Sequence, residues 1–345
     1  MRNILILGCL LIIILAGCAP RSAALEAVAP VQQPTTAPMP MVEVLENPPP
    51  CWGGDLIYHT RFKQVLLVNC VANPGTATVL TLWKWDGTRW QKVSQDGPPG
   101  RILGAAAYDS VRNALILYGG RPVEMGTCSQ ETWEWDGEFW EQIDAQPPTA
   151  CDHVKMVYDA SRQTTILFSG LDPSENRVNE TWSWNGQHWK LLSQEGPESR
   201  GHFGFVYDTS HKQTLLYGGY ARTISDEFWS WKDGAWQKLD VPGPGALSHF
   251  GMAWNTDENA LYVFGGATSG STFSTLTDTM WVFKDEHWEE LRPAISPSRR
   301  GAPAMGYDLV RKRVLLYGGF DSAHNTLNDT WEWDGETWMC MENCY

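Results

Sequence analysis

Charge is sparse in this 345-residue chain: only 19% of residues are Asp, Glu, Lys or Arg, and 26 basic residues face 40 acidic ones. That excludes a long charged helix or coiled coil, and a formal net charge of −14 makes nucleic acid a poor partner. No stretch sustains a 3.6-residue apolar period, so almost no helix is expected. The longest apolar run, Ile4 to Leu15, is about a dozen residues where roughly 20 are needed to cross a bilayer. Familiar catalytic signatures are missing too. There is no G-x-S-x-G elbow, P-loop, H-E-x-x-H or C-x-x-C, and no motif calls for a cofactor.

What the chain does have is 19 Trp, 32 Gly and 43% hydrophobic residues, enough to fill a core too large for one ordinary compact domain. Its first residues, Met1-Arg2-Asn3 and then the apolar run, read as an export signal over 1–17. Leu15-Ala16-Gly17-Cys18 resembles the lipobox of bacterial lipoproteins. That resemblance implies cleavage before Cys18, its diacylation, and attachment to a cell-envelope membrane outside the cytoplasm. Residues 18–50 hold eight of the 21 prolines and read as a tether with a flexible reach of about 30 Å.

From residue 51 the chain repeats itself. Trp83-Lys84-Trp85-Asp86-Gly87-Thr88-Arg89-Trp90 has relatives starting at Trp133, Trp182, Trp229, Trp281 and Trp331. A second block, typified by Tyr108-Asp109 through Tyr118-Gly119-Gly120, precedes each, with relatives at Tyr58, Tyr158, Tyr207, Trp254 and Tyr307. Each unit reads as four short strands: an alternating strand ending at the Tyr, a Leu-Ile-Leu-Tyr strand, a Trp-x-Trp strand, and a last strand entered through Asp-Gly. Units of about 50 residues with four strands are the pattern of a six-bladed, all-β propeller over 51–345.

The Gly-Gly pairs 119-120, 218-219, 265-266 and 318-319, followed by Asn328-Asp329-Thr330-Trp331 and its equivalents, resemble the kelch-repeat, galactose-oxidase-like propellers. Asn69-Cys70 and Ser169-Gly170 depart from that pattern. The resemblance implies a fold that hosts both adaptors and enzymes. Galactose oxidase's copper chemistry is not supported, because the repeat Tyr residues are committed to packing. Sialic-acid epimerases on such propellers use loop Arg, Glu and His, which sequence alone cannot assemble.

Seventeen of the 19 Trp belong to the repeat blocks and are expected in the core; Trp254 replaces the repeat Tyr, and Trp52 is left over as a ligand contact. The loops 121–132, 171–181, 220–228, 267–280 and 320–330 are long and dissimilar, so binding is expected on their face, at the channel mouth. Five residues before the repeat aromatic stand His153, His202 and His249, in three consecutive blades. They suit zinc or copper, or else a structural or weak ligand contact. Arg101, Arg200 and Arg300, in alternate blades, either clamp a ligand carboxylate or tie loops together.

Six cysteines remain besides Cys9 and Cys18, allowing 15 pairings. Cys128 with Cys151 is the expected inter-blade pair. Cys51 with Cys344 would latch the ring, while Cys51 with Cys70 and Cys340 with Cys344 fit the spacing as well. The expected function is a membrane-tethered binding or scaffolding module for a protein or extracellular polysaccharide. The alternatives are a carbohydrate-active enzyme at the channel mouth and a purely structural envelope component.

Overall fold

The computed structural model describes residues 47–344 apart from 71–78, 95, 123–125 and 270–274; the export signal over 1–17, Cys18 and most of the tether lie outside them. The described residues form six four-stranded antiparallel sheets and no α-helix. Each sheet is one repeat. The first comprises Asp55–His59, Gln64–Val68, Leu82–Trp85 and Trp90–Ser94, and the last Ala304–Asp308, Arg313–Phe320, Thr326–Trp333 and Trp338–Glu342. The innermost strands pack side by side, and Asp55–His59 packs on Ala304–Asp308, which closes a six-bladed β-propeller around a central channel. A short ribbon, Arg101–Ile102 with Arg121–Pro122, is added to the second blade.

Local chemistry explains the strand ends. Asp86 Oδ1 accepts the backbone N–H groups of Thr88 and Arg89, and Gly87 takes φ +100° between the third and fourth strands. At the turn between the first and second strands of the next blade Asp109 Oδ1 accepts from Val111 and Arg112 in the same way.

Indoles fill the seams between blades. None of the 17 motif Trp is exposed, and Trp85, Trp135, Trp184 and Trp231 are almost wholly buried. Each contributes on the order of 3 kcal/mol of apolar burial. Three seams add a hydrogen bond from the third Trp of one blade to a Thr of the preceding blade: Trp90 to Thr330, Trp189 to Thr132 and Trp236 to Thr181. In the other three seams the Thr position holds Leu82, Phe228 or Met280, and the facing Trp140, Trp288 and Trp338 leave their indole N–H groups unpaired. The presence or absence of that one hydroxyl accounts for all six.

A second belt runs at the turn end. Tyr108 pairs with Thr60, the Trp254 indole donates to Thr209, and Tyr307 donates to Asp257, each in the preceding blade.

Two disulfide expectations divide. Cys128–Cys151 forms as expected. The Cys51–Cys344 latch does not; Cys51 pairs with Cys70 and Cys340 with Cys344. The reason lies in where the chain enters. Cys51 donates its N–H to Leu327 O and its carbonyl accepts Gly319 N–H, so it sits beside the inner part of the last blade, whereas Cys344 trails the outermost strand. Blades one and six are sealed instead by Trp85 donating to Glu332, Trp90 to Thr330 and Tyr317 to the Pro48 carbonyl.

Candidate functional site

Where each blade begins, the chain turns sharply onto the channel rim. The six residues at that turn are Gly53, Leu103, His153, His202, His249 and Ala302, and all have positive φ, from 47° at Ala302 to 70° at Gly53. Such a conformation is costly for residues with a Cβ. Backbone bonds hold it: Gly53 N–H donates to Ala302 O, His153 to Leu103, His249 to His202 and Ala302 to His249. Main-chain bonds thus join the collar at four of its six junctions. Between His153 and His202 the contact is made by the rings instead, and strain of this kind gathers where function requires a fixed pose.

Three imidazoles occupy half of the collar. His202 stacks on His249 with ring centres 3.7 Å apart and meets His153 edge-on at 4.7 Å. Burial, followed by the charges of His249, His153 and Lys155, pushes His202 well below the usual imidazole range. Burial likewise lowers His249 to about 4, so both rings are neutral near pH 7. His153 Nδ1 lies 3.0 Å from Asp152 Oδ1. Burial would raise the Asp152 carboxyl, but His153 and the Arg121 guanidinium outweigh it and hold it low.

Trp52 completes the mouth. It meets Phe320 edge-on at 6.2 Å, and Phe320 in turn lies 6.1 Å from His249 and 6.5 Å from His324, its ring parallel to the latter. Together with Leu103 and the three collar imidazoles these residues line a pocket of about 340 Å³. The single non-repeat Trp and the three His, picked out separately in the sequence, therefore converge. Phe320 and His324 were not picked out. Phe320 follows the last Gly-Gly pair, where other blades have Arg121, Leu171, Tyr220 or Ala267, and that departure was the available signal.

The arginines do not join them. Arg101, Arg200 and Arg300 are buried, and each guanidinium donates to the carbonyl of the first Gly of its blade's pair, Gly119, Gly218 or Gly318. Each also pairs with a carboxylate, Glu131, Glu227 or Asp329, that accepts the indole N–H two residues later. They tie loops and do not line the mouth pocket. Two residues before the collar, the same position holds Cys51 and Cys151 in blades one and three, where a disulfide replaces the ion pair. As for a metal, the imidazoles stack in a row instead of converging. Among the described residues no group of three or more His, Cys, Asp or Glu is placed to hold an ion.

No protein-family profile matches the sequence, and no curated protein matches it. Among solved structures the fold is similar to one described as "Structure of YjhT", with a TM-score of 0.67 over 86% of this chain and 99% of that one. Identity is 12%, so the likeness is one of fold alone. The disulfides suit an oxidising, extracytoplasmic environment. Among the described residues no helix is long and apolar enough to cross a membrane.

Proposed function

We propose that this chain is an extracytoplasmic binding module of the kelch type, held to the envelope by lipid on Cys18, whose mouth pocket takes a neutral sugar ring of an extracellular polysaccharide. The observation that carries this reading is the company the pocket keeps. Trp52 and Phe320 offer aromatic surface for the apolar face of a pyranose, and neutral imidazoles beside them can both donate to and accept from hydroxyls. Among the described residues no Arg, Lys, Asp or Glu lines that pocket, which suits a ligand without charge. Titration of the protein with neutral oligosaccharides of several linkages tests it. Saturable binding that falls at least about ten-fold in Trp52→Ala is expected, and retention by a protein partner with no oligosaccharide bound would reject the polysaccharide.

A second reading, a carbohydrate-active enzyme, draws on the buried Asp152 carboxylate behind His153. It predicts that a bound oligosaccharide is chemically altered on long incubation and that His153→Asn leaves it intact.

A further inference from the structure

A second cavity opens at the other end of the channel, on the face of the short turns, with a volume of about 400 Å³. All six inner strands wall it, and the repeat aromatics from Tyr58 to Tyr307 ring it. Three residues before those aromatics stand Asp55, Ala105, Lys155, Gly204, Gly251 and Ala304. Four blades thus contribute a hydrogen or a methyl there, with Met252 and Met305 of the next blade packed over Gly204 and Gly251, while the other two contribute a carboxylate and an ammonium. Lys155 Nζ and Asp55 Oδ1 lie 3.0 Å apart, with side chains 31% and 14% exposed. Among the described residues this is the one ion pair that joins blades that are not neighbours.

The pair is built and incompletely satisfied. Asn69, the departure from Gly-Gly in blade one, adopts φ 57° and donates to Asp55 Oδ2 at 2.9 Å, which fixes the carboxylate. Lys155 makes one hydrogen bond among the described residues, to Asp55, although an ammonium has three donors. Met156, Met252 and Met305 line the same cavity and supply adaptable apolar surface.

We propose that this cavity is a receptor for a free α-amino acid with an apolar side chain. Its carboxylate takes the spare N–H groups of Lys155, its ammonium donates to Asp55, and its side chain lies among the methionines. An amino acid carries opposite charges at about the spacing of this pair, so the four groups form a square of alternating sign with no net charge added. A plain carboxylic acid would meet Asp55 uncompensated, and a plain amine would meet Lys155. The volume is in the range of small-molecule pockets. None of this uses Trp52 or the stacked imidazoles.

The test is calorimetric titration of the full chain in detergent with L-leucine, L-methionine and L-phenylalanine. At least one should saturate the protein, and its N-acetyl and amide derivatives should bind at least about ten-fold more weakly. Lys155→Met and the isosteric Asp55→Asn should each weaken binding by a similar factor with the unfolding midpoint little changed, while Trp52→Ala leaves it intact. Failure of all three amino acids to saturate, equal binding of the N-acetyl form, or full binding by Asp55→Asn would overturn the inference. Loss in Trp52→Ala alone would assign the ligand to the mouth and overturn it equally.

Discussion

The two ends of the channel are built on opposite rules. At the turn end the six blades present almost one residue, Tyr in five and Trp254 in the sixth, and in four of them its polar atom pairs with the preceding blade. At the mouth, five residues earlier in each blade, they present Gly53, Leu103, His153, His202, His249 and Ala302, joined through main chain at four of six junctions. Where side chains close the ring, the sequence repeats. Where the backbone makes most of the joins, the side chains are released to differ, and a pocket that breaks the six-fold pattern can form.

That contrast can be broken most forcefully at the loop clamps. Arg300→Met would leave Asp329 buried without its partner and cost about 3–5 kcal/mol, read as a large fall in the denaturation midpoint. Arg300→Lys should rescue only part of it, because two parallel bonds to Asp329 need the guanidinium fork.

Acid should separate the ends next. His202 and His249 at the mouth titrate below the ordinary imidazole value, and burial, then the charge of Arg61, lowers His59 at the turn end to about 4. Between pH 6.5 and about 4 the unfolded chain takes up protons that the folded one refuses, so stability falls as pH falls through that window. A His202→Asn, His249→Asn variant keeps residues tolerant of positive φ and should show a shallower loss, with His59 supplying the remainder. An unchanged acid profile would mean the mouth imidazoles are not held neutral.

The seams give a smaller effect. Thr132→Val removes the acceptor of the Trp189 indole and should cost about 1–2 kcal/mol in urea unfolding, while leaving oligosaccharide titration at the mouth unaltered. The smallest change is expected at the collar itself. His202→Gly relieves a left-handed residue of its Cβ, so stability should stay within about 1 kcal/mol of the parent while mouth binding is lost. A collapse as large as that of Arg300→Met would show that the collar side chains are scaffold after all.

These differences also mark what could be read from the chain. The Trp-x-Trp register predicts the sheets because each indole must find the same seam in every blade, and periodic burial leaves a periodic sequence. His153, His202 and His249 were legible by the same register, and Trp52 by standing outside it. Phe320 and His324 were not, since their approach to the mouth depends on how the loop after the last Gly-Gly pair folds back. The pairing of Cys51 with Cys70 was open for a similar reason: spacing counts residues along the chain, whereas inner and outer edges of one blade are separated in space. The turn-end cavity is walled by strands and carries no loop signal. Asp55 and Lys155 share one register with four Gly or Ala residues, a pattern visible in the sequence only when the six inner strands are laid side by side.

Among the described residues every four-stranded sheet takes its strands from one repeat, with none borrowed across the junction between the last blade and the first. The start of the polypeptide is therefore a matter of bookkeeping more than of architecture. Circularly permuted forms, opened between any two blades and joined from residue 344 to residue 47 by a short spacer that keeps the Pro48 contact, should assemble the same wheel, and whole blades are natural units for exchange between such proteins.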